Sequence, residues 1–130
     1  MQVLLDTHVW VWSFADDMRI PARMKQFIQD ADVVYVSAIS LFEIGQKVRI
    51  GRWPAMEPEF EKLQGRIEEQ GAMSLPITGE IAGLAGSLHW QHRDPFDRLF
   101  AASSIVSRST LITADKAFDT LQDPRFSHVW

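Results

Sequence analysis

Four acidic residues, far apart in the chain, have side chains and settings suited to metal-assisted chemistry. Asp6 and Asp115 each follow a short apolar run, Glu43 follows a third run within a helix-favouring segment, and Asp97 stands in the stretch HRDPFDRLFAA. Carboxylates that lie close together raise one another's pKa, so four stay ionised together only if cations neutralise them. Oxygen ligands favour hard cations such as Mg²⁺ or Mn²⁺, and a cation held in this way is suited to phosphate ester cleavage.

Each of these acids also has a purely structural explanation. Asp6 and Asp115 can cap helices that begin directly after them, and Asp94 can cap a helix that begins with Pro95. An acid such as Asp97 in the first turn suits the helix dipole. Taken one at a time, the acids are better explained by such structural roles than by a site.

The pattern of the whole chain predicts where these acids lie. Short apolar runs alternate with helical segments, which is typical of strands joined by helical crossovers in a mostly parallel sheet. Candidate strands cover 3–5, 33–36, 73–75 and 110–113, with an edge strand over 126–130. Candidate helices begin near Thr7, Pro21, Ser37, Glu57, Thr78, Asp94 and Asp115, and residues 51–54 (GRWP) form a break between helices.

This arrangement predicts that the acids meet. Ligands of open parallel sheets bind at the carboxyl ends of the strands, and the residues that follow these strands are acidic. Asp6, Glu43, Asp97 and Asp115 are therefore expected at one edge of the sheet, where together they are harder to explain as caps.

Composition limits the possible chemistry and location. The 130 residues are 46% hydrophobic and contain no cysteine, so one α/β domain over 1–130 is expected, without disulfides or thiolate chemistry. The formal net charge of −4 argues against a broad basic surface for nucleic acid, although local basic patches are compatible with it. The chain has no apolar run of membrane-spanning length, and its first residues lack the features of a signal peptide, so a cytoplasmic protein is expected.

Four ordered motifs resemble a known family. The segments LLDTHVWVW, VSAISLFEIGQKVRIGRW, HRDPFDRLFAA and LITADKAF are similar to those of PIN-domain ribonucleases, and among them to the VapC-type toxins of toxin–antitoxin pairs. The resemblance implies a three-layer α/β/α fold with a mostly parallel central sheet. It also implies endonucleolytic cleavage of RNA with Mg²⁺ or Mn²⁺ as the cofactor.

The resemblance also implies roles for individual residues. Asp6, Glu43, Asp97 and Asp115 fall on the family's acidic quartet, with Asp6 and Asp97 as the principal metal ligands and the other two orienting the attacking water. Asp94 and Thr113 are auxiliary candidates, Thr113 as a hydroxyl that holds water or phosphate. The family further implies a homodimer and an antitoxin that covers the site. An alternative of another class is a non-catalytic RNA- or protein-binding module of the same fold.

Basic residues near Glu43 are open to two interpretations. Lys47, Arg49 and Arg52 lie on or just past the same segment and either contact the RNA backbone or form a solvated helix face. Glu43 itself closes a capping-box pattern with Ser40 and stands four residues before Lys47, the spacing of a surface ion pair.

Other residues have interpretations that the structure can test. Arg93 and Arg98 flank the DPFD acids and either bind phosphate or balance charge. His89 and His92 have the i, i+3 spacing of a helix-end pair, with no matching third ligand for zinc, and His8 is expected to pack on its helix. Three tryptophans are candidates for an interface, although this residue is more often packed in a core: Trp10, Trp12 and Trp53.

Overall fold

A computed structural model describes residues 1–15 and 18–130 of the chain. Within them five strands form one sheet in the order β3-β2-β1-β4-β5, and every pairing is parallel. The strands are β1 (Gln2–Leu5), β2 (Val33–Ser37), β3 (Met73–Leu75), β4 (Thr110–Ile112) and β5 (His128–Val129). The helices are α1 (Thr7–Phe14), α2 (Ala22–Gln29), α3 (Ala38–Arg49), α4 (Leu63–Glu69), α5 (Gly79–Ser87) and α6 (Pro95–Ser107). The first four predicted strands are confirmed to within one residue of their ends, whereas the predicted edge strand over 126–130 is reduced to His128–Val129.

Successive side chains of the central strands point to opposite faces of the sheet, so the hydrophobic core forms two clusters, one on each face. Val3 and Leu5 of β1 point to one face of the sheet and pack with residues of α1 to α4, whereas Leu4 points to the other face and packs with α5 and α6. Residues of both faces are buried, which explains why these strands are apolar throughout rather than alternately polar. The expected α/β fold with three layers, helix, sheet and helix, is confirmed.

The segment between α3 and β3 differs from the prediction of a helix that begins near Glu57. The structure has short 3₁₀ turns at Pro54–Met56 and Phe60–Lys62, and α4 begins at Leu63. Glu57 has helical dihedral angles, but the N–H groups of Glu57, Glu59 and Lys62 each donate to a carbonyl oxygen three residues earlier, so this segment forms 3₁₀-type turns before the regular helix begins. The helix predicted after Asp115 is likewise a 3₁₀ helix, Lys116–Thr120.

The predicted break at residues 51–54 is confirmed as the end of α3. Gly51 has a positive φ of 75°, and the N–H groups of Gly51 and Arg52 donate to the carbonyl oxygens of Val48 and Lys47. This is a Schellman motif, in which a left-handed residue satisfies the last carbonyls of a helix. The chain therefore turns sharply before Trp53. Among the described residues, no helix combines the length and the apolar character needed to cross a membrane.

Candidate active site

Asp6 lies at the junction of β1 and α1 and is fixed on both sides. Its N–H group donates to the Ile112 carbonyl oxygen of β4, and its Oδ1 accepts from the Val9 N–H group at 2.8 Å as the N-cap of α1. The second carboxylate oxygen, Oδ2, accepts from Thr113 Oγ1 at 2.5 Å. Asp6 is thus a helix cap, as the structural explanation predicts, and its other oxygen faces the end of β4.

Burial makes the ionised form of the Asp6 side chain less favourable than it is in water. Removal from water raises the pKa of Asp6 to about 6, against the lowering effect of the hydrogen bonds from Thr113 and Val9, and the negative charges of Glu43 and Asp115 raise it further. Residues of β1, α3 and the segment after β4 therefore interact electrostatically at this edge of the sheet. A group that neutralises these charges would favour the ionised form of Asp6.

Glu43 is oriented by two neighbours on different elements. Its Oε1 accepts from the Thr7 hydroxyl at 2.6 Å, and its Oε2 lies 3.2 Å from Lys47 Nζ, as the i, i+4 spacing predicts. The capping-box prediction is wrong, because Ser37 caps α3 through the Ile39 N–H group. Ser40 is instead fully buried and bonds to Thr7 at 3.0 Å.

Thr7 is a site residue that sequence reasoning missed. It is almost fully buried, and its hydroxyl joins α1 to Ser40 and Glu43 of α3. The available signal was a hydroxyl residue directly after Asp6, at the carboxyl end of a strand, where parallel sheets place ligand-binding groups.

In the DPFD stretch, Asp94 caps helix α6, whereas Asp97 directs its carboxylate toward His92. Asp94 Oδ1 caps α6, accepting from the N–H groups of Phe96 at 2.8 Å and of Asp97 at 3.2 Å. Asp97, in the first turn, places its Oδ2 2.6 Å from His92 Nε2. Burial raises the pKa of Asp97, and the nearby charges of Asp94 and Asp115 raise it too, while the hydrogen bond with His92 lowers it.

Arg98 contacts the main chain and, within the described residues, forms no ion pair with Asp94 or Asp97, so the charge-balancing prediction is not supported and phosphate binding stays a prediction. Its guanidinium donates to main-chain carbonyl oxygens at 2.7 to 2.9 Å. The accepting carbonyls belong to Ala85, Leu88, Trp90 and His92. Arg98 thereby shapes the loop that holds His92 beside Asp97. Arg93 is exposed.

The prediction of a helix-end histidine pair is also wrong. Helix α5 ends at Ser87, so His89 and His92 both lie in the loop that Arg98 holds. The ring of His92 packs against that of Trp90, with centroids 4.8 Å apart, and its Nε2 is directed at Asp97. The two histidines therefore do not share a helix face.

Thr113 connects the acids of β1 and β4. Besides donating to Asp6, its Oγ1 accepts from the Asp115 N–H group at 3.1 Å. Asp115 is exposed and caps the 3₁₀ helix through its Oδ1, which accepts from the Ala117 N–H group at 2.9 Å. In this structure the Thr113 hydroxyl therefore binds protein groups, whereas the sequence predicts water or phosphate as its partner.

The acids fit a hard divalent cation in ligand chemistry and in charge. All four offer oxygen ligands, and the pKa values of Asp6 and Asp97 are raised mainly by burial and further by neighbouring negative charges. Their carboxyl groups are nevertheless held by protein partners: Glu43 by Thr7 and Lys47, and Asp97 by His92. In residues 1–15 and 18–130, no three Asp, Glu or His side chains form a ready ligand set.

The basic and aromatic candidates take different positions. Lys47 pairs with Glu43, whereas Arg49 and Arg52 are exposed around the end of α3. Trp10 is completely buried, with its Nε1 donating to Gln70 Oε1 at 2.9 Å, so its candidacy for an interface is wrong. Trp12 and Trp53 are only partly buried, and His8 packs on Trp53 with ring centroids 4.9 Å apart.

The sequence model of the PIN domain matches residues 3–124. The chain belongs to the PIN-domain family. This PIN domain is 33% identical over 129 residues to a curated relative named Ribonuclease VapC22 from Mycobacterium tuberculosis, and the match covers 98% of each chain. The resemblance to VapC-type PIN-domain ribonucleases is thus confirmed.

Solved structures share the fold of this PIN domain at low sequence identity. VapBC2 from Rickettsia felis, bound to a DNA fragment of its promoter, has a TM-score of 0.66 at 16% identity, covering 99% of this chain and 98% of that one. DNA-bound VapBC from Salmonella typhimurium has a TM-score of 0.69 at 15% identity, covering 98% of both chains. A toxin–antitoxin complex from Klebsiella pneumoniae has a TM-score of 0.62 at 18% identity, covering 95% and 94%.

Proposed function

We propose that this chain is a metal-dependent endoribonuclease and the toxin of a toxin–antitoxin pair. The observation that carries the proposal is the electrostatic coupling of acids from separate elements, Asp6 with Glu43 and Asp115, and Asp97 with Asp115, in a PIN-domain chain. The name of the curated relative, a ribonuclease, supports the reaction. The names of the structural neighbours, which are toxin–antitoxin complexes, support the biological role.

In the proposed reaction, Asp6 and Asp97 would hold Mg²⁺ or Mn²⁺, because burial disfavours their ionised forms and a cation would offset that cost. When bound, the metal acts as a Lewis acid that binds phosphate and lowers the pKa of a bound water molecule. Glu43 and Asp115 complete the set and orient the attacking water. Hydrolysis joins the water oxygen to phosphorus, breaks the bond to the leaving ribose oxygen and transfers a proton to that oxygen.

Neighbouring side chains keep these acids in position. Thr113 and His92 hydrogen bond to Asp6 and Asp97, and Thr7 to Glu43. Asp94 acts indirectly, because its cap fixes where α6 begins. For RNA backbone contacts, the proposed residues are Lys47, Arg49 and Arg52, which lie along the end of α3 beside Glu43.

The proposal of an antitoxin partner is supported by the names of the structural neighbours, which are toxin–antitoxin complexes. A separate antitoxin is proposed to cover the acidic site, and the toxin is proposed to form a homodimer and to act in the cytoplasm. Co-expression of this chain with its antitoxin should yield a complex that elutes as one species in size-exclusion chromatography and does not cleave RNA.

The first test is cleavage of total cellular RNA by the purified protein in Mg²⁺ or Mn²⁺, with fragment ends mapped by sequencing. Discrete cuts are expected, and they should disappear in EDTA and in Asp97→Asn. Asp30→Asn is the matched control, because Asp30 is an exposed residue at the end of α2, away from the sheet edge where the acids lie. Cleavage that persists in EDTA would contradict the metal-dependent mechanism.

The second test measures the metal without activity. Mg²⁺ should raise the melting temperature of the EDTA-treated protein, because a ligand at 100 times its dissociation constant stabilises the folded state by about 2.7 kcal/mol. The increase should be lost in Asp97→Asn and kept in Asp30→Asn. An equal increase in all three proteins would indicate general ion effects instead of a site.

The alternative function is a non-catalytic binding module. It is favoured by one observation, the engagement of Glu43 and Asp97 by Lys47 and His92 in place of a ready ligand set. Such a module would bind RNA or a protein equally well as wild type and as Asp97→Asn, and would leave all RNA uncut.

A further inference from the structure

A cleft of about 620 Å³ opens beside the acidic site, a volume typical of small-ligand sites. Its aromatic lining includes His8, Trp12 and Trp53 in addition to Phe14. Cationic side chains, among them Arg19, Lys47 and Arg52, also line it. We call it the Trp53 cleft. The function proposed above does not use its aromatic lining.

The wall of the Trp53 cleft presents flat ring surfaces. The His8 imidazole and the Trp53 indole stack with centroids 4.9 Å apart and planes 21° apart, and Trp12 lies 6.0 Å from His8 at a tilt of 56°. His8 is exposed, while both indoles are partly buried. Local backbone fixes Trp53 here, because the Gly51 turn reverses the chain and Pro54 begins the next 3₁₀ turn.

Lys47 connects the Trp53 cleft to the acidic site. Its Nζ lies 3.2 Å from Glu43 Oε2 and 5.4 Å from the centroid of the Trp53 ring. His8 stands on α1 two positions after Asp6, and its imidazole is within electrostatic range of Glu43 and Asp115. A polymer whose scissile bond lay at the acids would therefore pass close to the Trp53 cleft.

The described residues that line the Trp53 cleft are rich in cations. The protein carries a formal net charge of −4, whereas within residues 1–15 and 18–130 the lining of the cleft contains Arg19, Lys47, Arg52 and Arg66 beside Glu59. Glu59 pairs with Arg66 at 2.8 Å, and the guanidinium of Arg19 lies 4.8 Å from the centroid of Trp12. Positive charge interleaved with aromatic faces complements single-stranded nucleic acid, whose bases stack while its phosphates pair with cations.

We propose that the Trp53 cleft binds an unpaired nucleobase of single-stranded RNA, stacked on the His8–Trp53 pair, with Lys47 and Arg52 facing the flanking phosphates. This inference rests on the proposed function for the identity of the polymer. It adds a base-binding position and a requirement for unpaired RNA next to the cut. The charge of the cleft favours this occupant over an apolar peptide segment.

The test measures binding without cleavage, by fluorescence anisotropy in EDTA with a labelled single-stranded ten-nucleotide oligoadenylate. Trp53→Leu should weaken binding about tenfold, as expected for the loss of one stacked base. Trp53→Phe, which keeps a ring, should retain most of the affinity. Phe126→Leu is the matched control, because Phe126 also stacks on a histidine, His128, with centroids 5.2 Å apart, and does not line the cleft.

A second test of the same proposal changes the oligonucleotide instead of the protein. A series in which one abasic position moves along the strand should contain a position that weakens wild-type binding about tenfold and has little effect on Trp53→Leu. Equal affinities of wild type and Trp53→Leu, with both proteins folded by circular dichroism, would overturn the proposal. So would an unchanged RNA affinity combined with weaker binding of the antitoxin by Trp53→Leu, which would assign the cleft to a protein.

These outcomes are separate from those of the proposed function. Base-dependent binding without any cleavage in Mg²⁺ would leave the inference standing and refute the ribonuclease. Metal-dependent cleavage with no effect of Trp53→Leu on binding or on cut positions would support the ribonuclease and refute base binding in the Trp53 cleft.

Discussion

At the residue scale, Asp6 caps helix α1 through a hydrogen bond, although burial disfavours the negative charge of its carboxylate. Its Oδ1 caps α1, but burial raises its pKa from 3.8 to about 6, so the folded state binds a proton more tightly than the unfolded chain does. A carboxyl group with a raised pKa contributes its full stability below about pH 4, and that contribution is lost as the pH rises through about 6. The lost contribution is about 3 kcal/mol, since each unit of pKa shift corresponds to about 1.4 kcal/mol.

Asp6→Asn should therefore be more stable than wild type at pH 8 in EDTA, by up to about 3 kcal/mol, because asparagine keeps the cap without the charge. The difference should vanish near pH 4. Urea unfolding at the two pH values measures it, and Asp30→Asn should show little difference at either. A variant less stable than wild type at pH 8 would mean that the ionised carboxylate is satisfied in the folded protein.

At the element scale, Arg98 holds the loop between α5 and α6. Its planar guanidinium reaches carbonyls of Ala85 and of the loop residues Leu88, Trp90 and His92, a pattern that a single ammonium group cannot reproduce. Arg98→Lys should lower the free energy of unfolding by about 3 kcal/mol, because partly buried carbonyls lose their partners. It should also lower the proposed ribonuclease activity, because His92 would no longer be held beside Asp97.

Urea unfolding and RNA cleavage check both effects. Arg93→Lys provides the control, since Arg93 is exposed and five residues earlier in the chain. If Arg98→Lys lost stability but kept full activity, the loop would not position the site.

The end of α6 offers a second prediction at this scale. Arg108 has a φ of 54°, and the N–H groups of Arg108 and Ser109 donate to carbonyls of the last helical turn. Side chains disfavour this left-handed backbone, and glycine does not. Arg108→Gly should be more stable than Arg108→Ala by about 1 kcal/mol, although alanine is the better residue inside a helix. Thermal unfolding of the two variants, which have lost the same charge, measures the backbone effect alone, and the opposite order would contradict the assigned conformation.

At the scale of the whole molecule, the net charge of −4 makes RNA binding a local property. Lys47, Arg49 and Arg52 are the proposed phosphate contacts, and about three contacts to a single strand give a log–log salt slope of about −2. Anisotropy titrations of the oligoadenylate between low and physiological salt would measure this slope. A slope steeper than about −5 would require a much wider basic surface than these residues provide.

The same scale shows why some features were predictable and others not. Central strands such as β1 are buried on both faces and so form continuous apolar runs, and caps such as Asp6 and Asp94 are local signals. Thr7, Ser40 and the contacts of Arg98 act across elements, so their partners follow only from the packed fold. The helix predicted to begin near Glu57 begins instead at Leu63, because the preceding residues form 3₁₀ turns, which local residue types do not distinguish from the first turn of a helix.

The position of β1 has a consequence for the order in which the protein is made. Of the five described strands, β1 comes earliest in the chain, but it lies in the middle of the sheet, where it pairs with β2 and with β4, which follows more than a hundred residues later. Asp6 therefore meets Thr113 and Asp115 only after β4 has left the ribosome and inserted beside β1. For the proposed ribonuclease, a growing chain would be harmless to its own message and to the ribosome that carries it, because Asp115 and the hydrogen bond from Thr113 to Asp6 are not yet in place.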